Sequence, residues 1–177
     1  MGLVRQADTL RSLNIPTDSG PMASAAHHIS FNDANDKLIV TAVSTPGFLA
    51  IWDVAADGTL SEDFTTVTPP SGGGNPFSLT PISGTSAMIS ADTSIGGDVW
   101  DLGSLTATTN QTAPGRTAAI TIQGQTANCW STFSTKTGNF YLIDAGGAIV
   151  TEVNVDQNLK PTVVKVSFHC SGGSEMT

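Results

Sequence analysis

The chain has 177 residues, a formal net charge of −8 and a charged fraction of only 12%. It contains 7 Lys and Arg residues in all, with no basic run, and this excludes nucleic acid and anionic membrane as predicted partners. The hydrophobic fraction of 39% is too high for a disordered chain. No apolar run approaches the roughly 20 residues that span a bilayer. These totals predict one folded, Thr-rich all-β domain.

Residues 1–17 are predicted to contain one outer strand, which belongs to a repeat unit that precedes the first complete one. Residues 3–13 mix Leu, Val and Thr with polar residues, and Pro16 and Gly20 separate this stretch from the next strand. The stretch lacks the apolar core of a signal peptide, so no export signal is predicted within it.

Residues 24–69 predict four consecutive strands joined by turns. The third strand is the most apolar, and it ends in Trp52-Asp53-Val54 ahead of an Asp57-Gly58 turn. The four predicted strands are His27–Phe31, Lys37–Val43, Gly47–Val54 and Glu62–Thr68.

The same order of strands returns in residues 75–123 and again in 126–168, followed by a tail at 169–177. Trp100 and Val153 take the place of Trp52, so the repeat is about 50 residues long. A long Thr/Asn-rich loop precedes the last strand of the second unit. The predicted strands are Pro76–Ile82, Ser86–Asp92, Ile95–Leu102 and Thr117–Gln123, then Asn128–Phe133, Asn139–Asp144, Ala148–Val155 and Pro161–Ser167.

Four-stranded units repeated at this period are typical of the blades of a β-propeller. The sequence predicts about three blades plus one strand, whereas propellers have about 4–8 blades. We therefore expect an incomplete ring. Its first and last blades would expose apolar faces, and these predict self-association.

Two Trp-Asp pairs raise a WD40 alternative, but the period is long for that family and no Gly-His pair precedes them. Three stretches, at residues 48–60, 128–144 and 151–156, resemble instead the secreted fungal proteins called 3-carboxymuconate cyclase-like. Examples are Phe-Leu-Ala-Ile-Trp-Asp-Val at 48–54 and Asn-Phe-Tyr-Leu-Ile-Asp at 139–144. The resemblance covers roughly residues 25–165 and rests on the sequence patterns of strands and turns, without a catalytic motif.

The resemblance implies a seven-bladed lactonase-type propeller, an extracellular location and a small-molecule carboxylate or lactone as the partner. The implied reaction is the intramolecular lactone formation of 3-carboxy-cis,cis-muconate, or lactone hydrolysis. Family members have about twice this length, so this chain is expected to be an incomplete version that need not be active. The alternatives are a non-catalytic secreted propeller that binds a glycan or protein through its loops, and a non-functional truncated product.

Propeller geometry selects the candidate site residues. Inter-blade loops and the turns between second and third strands share the face where ligands bind, and no Lys or Arg of these three blades is expected there. The candidate catalytic residues are His28, Asp92 and Asp144, and the candidate ligand-binding residues are Asn75, Asn128 and Trp130.

Each of these residues also has an ordinary structural role. Asp92 and Asp144 both end second strands, where aspartate most often closes a turn by accepting backbone N–H bonds. Of His27 and His28, one is expected to face the channel and the other the blade. Trp130 is more often a packing residue than a ligand platform.

Asp92 and Asp144 also form the predicted metal site. If both point into one mouth with little positive charge, their pKa values should be raised or a bound cation should neutralise them. Calcium is the predicted ion, because it binds several carboxylate and carbonyl oxygens. No other cofactor is predicted, and the sequence leaves open whether Cys129 and Cys170 are paired.

Overall fold

The computed structural model describes residues 11–13, 15, 24–44, 46–105, 110–112 and 115–168. This part of the chain contains three β-sheets and one short 3₁₀-helix, Leu102–Ser104. None of its helices is long and apolar enough to cross a membrane. Most of the predicted outer strand at 3–13 and the whole tail at 169–177 lie outside the described residues.

Sheet 1 is an antiparallel meander of four strands, extended by a fifth. Its strands follow chain order, and the short strand β8 (Asn110–Thr112) pairs in parallel with β4. The meander consists of β1 (Ala25–Phe31), β2 (Lys37–Val43), β3 (Phe48–Asp53) and β4 (Thr65–Thr68).

Sheets 2 and 3 are antiparallel meanders of four strands each. Sheet 2 contains β5 (Thr80–Pro81), β6 (Ala87–Asp92), β7 (Gly96–Asp101) and β9 (Ala118–Thr121). Sheet 3 contains β10 (Asn128–Ser134), β11 (Asn139–Asp144), β12 (Ile149–Val155) and β13 (Pro161–Phe168).

The predicted three four-stranded antiparallel sheets are confirmed, with the Trp52, Trp100 and Val153 strands third in each. Two local predictions are wrong. The loop before Thr117 contains β8, whose pairing partner β4 is distant in sequence. The first strand of sheet 2 is also shorter than predicted, because between the Pro76–Asp92 bridge and β5 the ladder is interrupted.

Turn chemistry fixes where the strands of sheet 1 reverse. Asn32 Oδ1 accepts hydrogen bonds from the N–H groups of Asp36 and Lys37, both at 3.1 Å. Asn35 adopts a φ of 58° in the same turn, a conformation that Asn tolerates well. In the predicted Asp57-Gly58 turn, Gly58 has a φ of 84°.

The core is formed by the faces of successive sheets, and the three equivalent residues of the repeat show this directly. Trp100 belongs to a cluster with Ile39, Leu49 and Met88, between sheets 1 and 2. Val153 belongs to a cluster that joins sheets 2 and 3. Trp52 packs on the other face of sheet 1 with Val40 and Ala50. The three equivalent residues therefore lie on the same side of their sheets.

Candidate functional site

The first strands of the three sheets lie beside one another. Ser131 of β10 contacts the hydroxyl groups of Ser78 and Thr80, at 2.9 and 2.8 Å. On the other side, the Thr41 hydroxyl of sheet 1 donates to the Phe77 carbonyl oxygen at 2.8 Å. The segment that leads into β5 is therefore bonded to both neighbouring sheets.

Three aromatic rings follow one another along this edge, one from each sheet. The ring centroids of His27 and Phe77 lie 4.2 Å apart, and those of Phe77 and Trp130 lie 6.1 Å apart in an edge-to-face arrangement. Trp130 keeps 53% of its surface exposed. We call His27, Phe77 and Trp130 the aromatic arc.

A β-bulge decides which histidine joins the arc. The register of β1 against β2 shifts between Ala26 and His28, and that of β10 against β11 shifts between Asn128 and Trp130. A bulge adds one residue and redirects the side chains around it. In β1 the result is that His27 contacts Phe77.

His28 is half-buried, and its backbone N–H donates to the Thr41 hydroxyl at 3.0 Å. Burial lowers the pKa of both His27 and His28 below the ordinary value of 6.5. Both imidazoles are therefore neutral at pH 7, the form that can accept a proton.

Asn75 and Asn128 lie at corresponding ends of the loops that enter sheets 2 and 3. Asn75 Nδ2 donates to the Ser94 hydroxyl at 3.2 Å, and Asn128 Nδ2 donates to Gln125 Oε1 at 3.4 Å. The Oδ1 atoms of both are buried and have no hydrogen-bond partner among the described residues. These buried oxygens are therefore not accessible to a ligand.

Asp144 ends β11 and is almost fully buried. Its carboxylate accepts from the N–H groups of Thr126 (2.6 Å), Ala127 (2.9 Å), Gly146 (2.9 Å) and Gly147 (2.9 Å), and from the Thr126 hydroxyl (3.1 Å). It joins the loop that enters sheet 3 to the turn between β11 and β12. This is the turn-closing role of aspartate.

The electrostatics of Asp144 differ from the sequence expectation. Burial acts to raise its pKa, but the N–H groups of Gly147, Thr126 and Ala127 stabilise the carboxylate and lower the pKa overall. The sequence predicted that the Asp144 charge would be removed by a raised pKa or balanced by a cation. Backbone N–H groups stabilise the charge instead.

Asp92 ends β6 and is also fully buried. It accepts from the backbone N–H groups of Gly74 and Ser94, both at 2.7 Å. Like Asp144, it therefore joins an incoming loop to the turn after its strand. Its carboxylate receives two such bonds among the described residues.

Asp98 of β7 is a buried acid that the sequence reasoning missed. Its side chain is fully buried and lies on the same face of sheet 2 as Asp92, two residue pairs along the β6–β7 ladder. Burial, followed by the charge of Asp92, raises the pKa of Asp98 well above its usual range. Two glycines precede Asp98 and Trp100 follows two residues later, a pattern that predicts a strand and gives no signal for a second acid.

No family model matches the sequence, and no curated protein matches it. Solved structures do match. A periplasmic gluconolactonase from Pseudomonas aeruginosa is similar with a TM-score of 0.67 at 17% identity, over 87% of this chain and 45% of that chain. A functionally unknown protein from Desulfotomaculum acetoxidans is similar with a TM-score of 0.53 at 11% identity, over 86% of this chain and 58% of that one. The chain spans about half the length of these structures.

The three stacked four-stranded meanders and this similarity to a lactonase-type propeller decide the fold class. The chain has a β-propeller fold. Sheets 1, 2 and 3 are consecutive blades, and the aromatic arc lies on their innermost strands.

Of the predicted site residues, Trp130 lies in the arc, where it meets Phe77, a residue that the sequence did not single out. Asp92 and Asp144 each serve their own blade, and the described residues contain no group of three or more His, Cys, Asp or Glu side chains that could hold a metal ion. Cys170 lies outside the described residues, so its pairing with Cys129 stays open.

Two cations of the described residues form ion pairs, and Arg11 lines a cavity together with both histidines. Lys37 pairs with Asp53, at the end of β2 and β3 that lies away from their connecting turn. Arg116 pairs with Asp101 at 3.1 Å. The arc itself combines two apolar rings with one imidazole.

Proposed function

We propose that this chain is part of a lactonase-type propeller that binds a sugar lactone, or the open carboxylate derived from it, over the aromatic arc. The observation that carries the proposal is the arc itself, with three rings in sequence and the Trp130 ring half-exposed. Aromatic rings pack against the C–H faces of sugar rings, while a few polar groups fix orientation.

Lactone hydrolysis suits the polar groups of this edge. Water adds to the lactone carbonyl carbon, the ring C–O bond breaks, and the proton lost by water passes to the departing ring oxygen. A neutral histidine can carry that proton, as general base and then as general acid. His27 lies in the arc, and His28, the residue favoured by the sequence, follows it directly.

The finer form of the proposal is the cyclisation of 3-carboxymuconate, which the sequence resemblance implies. In that reaction a carboxylate oxygen adds to a carbon–carbon double bond, and a proton is added to the adjacent carbon. The substrate carries several carboxylates, for which Arg and Lys are the natural partners. Lys37 and Arg116 are engaged with Asp53 and Asp101, but Arg11 lines a cavity with the two histidines and is the cation that such a substrate would meet.

A non-catalytic glycan-binding propeller is the second candidate. The exposed Trp130 ring favours it, because a ring platform binds a closed sugar whether or not a lactone carbonyl is present. We further propose an extracellular location, supported by the family resemblance and by the periplasmic origin named for one similar structure. Self-association through open blade faces, where Ile143 and Val150 are exposed, stays a prediction.

The test is ligand binding followed by the fluorescence of Trp130, since Trp52 and Trp100 are buried. Glucono-1,5-lactone, gluconate and a gluco-oligosaccharide should each be titrated against the wild type and Trp130→Ala. Loss of the stacked ring is expected to weaken binding about tenfold, or about 1.4 kcal/mol. Val164→Ala is the control, because Val164 has the same 53% exposure but lies on the outer strand β13.

The outcomes separate the two candidates. Binding of the lactone with faster ring opening supports the lactonase proposal, and binding of the oligosaccharide alone supports the glycan-binding alternative. Equal affinity in the wild type and Trp130→Ala, or no binding of any of the three ligands, contradicts both.

A further inference from the structure

Two carboxyl groups are buried together between sheets 1 and 2. Asp92 and Asp98 are both fully buried, and they lie diagonally across the β6–β7 ladder on one face, because Ser90 pairs with Asp98 and Asp92 with Gly96. Asp92 accepts two backbone N–H bonds, but Asp98 Oδ1 receives none from any described residue. Two neighbouring carboxylates without a counter-charge repel each other strongly in a medium of low polarity.

The loop that joins sheet 1 to sheet 2 covers this pair. Gly74 N–H bonds to Asp92 Oδ2 at 2.7 Å. Gly73 lies so close that a Cβ there would be 2.6 Å from Asp98 Oδ1 and 2.9 Å from Pro69 Cβ. Glycine at this position therefore lets the backbone approach the acid directly. The same loop continues into Asn75 and Phe77, at the aromatic arc.

The other polar groups around the pair are neutral. The Ser90 hydroxyl lies 3.5 Å from Asp98 Oδ2 and accepts from Trp100 Nε1 at 2.9 Å. The charged group that acts on Asp98 is Asp92. On the elements packed against the pair, the described ion pairs lie elsewhere: Lys37 with Asp53 on β2 and β3, and Arg116 with Asp101 at the other end of β7.

We propose that Asp92 and Asp98 share one proton and that this acid pair holds the 69–75 loop, and with it the middle of the aromatic arc, in place. Asp98 carries the proton and donates it in a hydrogen bond to the Asp92 carboxylate, which in turn binds Gly74 and Ser94. Loss of the proton leaves two buried charges in contact, and the glycine loop opens to admit water or a cation. The inference concerns the position of the loop and does not depend on which ligand the arc binds.

The proton link has a definite sign. Burial and the Asp92 charge raise the pKa of Asp98 in the folded chain above that in the unfolded chain. The stabilising effect is therefore complete below the ordinary carboxyl pKa and is lost as pH rises towards the raised value. Within that window the unfolding equilibrium constant increases about tenfold per pH unit, since the unfolded chain binds one proton fewer.

The experiment compares urea unfolding of the wild type and Asp98→Asn from pH 4 to pH 9. The asparagine amide is neutral at every pH and can donate an N–H to Asp92. We expect the wild type to lose stability relative to the variant as pH rises, with the slope of one proton. Asp57→Asn, at an exposed turn, is the matched control and should retain the wild-type slope.

Two further measurements keep the inference open to contradiction if Asp98→Asn folds poorly. The infrared spectrum of the wild type should show the C=O band of a protonated carboxylic acid at pH 7, and this band should be absent from Asp98→Thr, which copies the residue found in sheet 3. Exchange of the Gly74 amide hydrogen should accelerate as the band disappears with rising pH. Parallel slopes in wild type and variant, or no acid band, would overturn the proposal. So would a melting temperature that calcium raises in the wild type alone, because the pair would then hold a cation.

Discussion

Asp92 and Asp144 occupy the same place in two adjacent blades, but their carboxylates have different surroundings. Each ends the second strand of its blade and binds the N–H groups of the incoming loop and of the following turn. Asp144 receives five hydrogen bonds, whereas Asp92 receives two and shares its face of sheet 2 with the buried Asp98. The corresponding position in the third strand of sheet 3 is Thr151, which pairs with Leu142 as Asp98 pairs with Ser90.

The comparison shows that one repeated position can serve two electrostatic purposes. In sheet 3 four backbone N–H groups and the Thr126 hydroxyl stabilise the aspartate, and the neighbouring strand carries the neutral Thr151. In sheet 2 a second acid replaces this threonine, so a proton must take the place of the missing donors. The residue on the third strand therefore decides whether the hydrogen bonds between the second-strand aspartate and the incoming loop depend on pH.

The largest expected effect comes from removing the better-bonded carboxylate. Asp144→Ala removes the acceptor of four backbone N–H groups and of the Thr126 hydroxyl, at about 1 kcal/mol for each hydrogen bond, so we expect a loss of about 3–5 kcal/mol in the free energy of unfolding. Asp92→Ala should cost less, about 1–3 kcal/mol, because fewer hydrogen bonds to the carboxylate are lost. Urea unfolding at pH 7 measures both. Equal losses in the two variants would show that the number of backbone donors does not set how strongly the aspartate stabilises its loop.

The second prediction concerns Gly73. A methyl group at this position would collide with Asp98 and Pro69, so Gly73→Ala should cost about 1–3 kcal/mol. Gly103→Ala is the control, since its Cβ would meet its nearest atoms at 3.5 Å, an ordinary contact. Combining Gly73→Ala with Asp98→Ala should recover part of the loss. A cost that is unchanged in the double variant would place the strain at Pro69 alone.

Much of this arrangement could be predicted from sequence, but the acid pair could not. Apolar runs and Asp-Gly or Asn-rich turns identify the strands, and the repeat makes Asp92 and Asp144 equivalent. Asp98 is different. The alternation of side chains along its strand does not predict whether the side that carries Asp98 faces solvent or the neighbouring blade. The bulge that turns His27 towards Phe77 likewise adds a residue that alternation does not anticipate. Strand β8 has a polar sequence and gains its order from pairing with the distant β4.

The third prediction uses acid pH to separate the two aspartates. The pKa of Asp144 is lowered in the folded chain, so its stabilising effect is present above the ordinary carboxyl pKa and is lost as pH falls through the lowered value. Asp144→Asn should therefore be less stable than the wild type at pH 7 and should show a flatter decline between pH 4 and pH 2. Asp98→Asn should leave this acid decline in place. A wild-type decline that persists in Asp144→Asn would assign it to other carboxylates.

The smallest expected effect is at Thr151, the neutral counterpart of Asp98. Its side chain is buried, and its hydroxyl has no hydrogen-bond partner among the described residues. Valine has nearly the same shape without the buried polar group, so Thr151→Val should be neutral or stabilise the chain by up to about 1 kcal/mol. Asp98→Val at the equivalent site should instead destabilise, because Asp92 loses the proton that it shares. A loss above about 1 kcal/mol in Thr151→Val would mean that the Thr151 hydroxyl makes a hydrogen bond in solution. Thr151 and Asp98 would then both depend on a hydrogen-bond partner, and would differ only in that one of them is an acid.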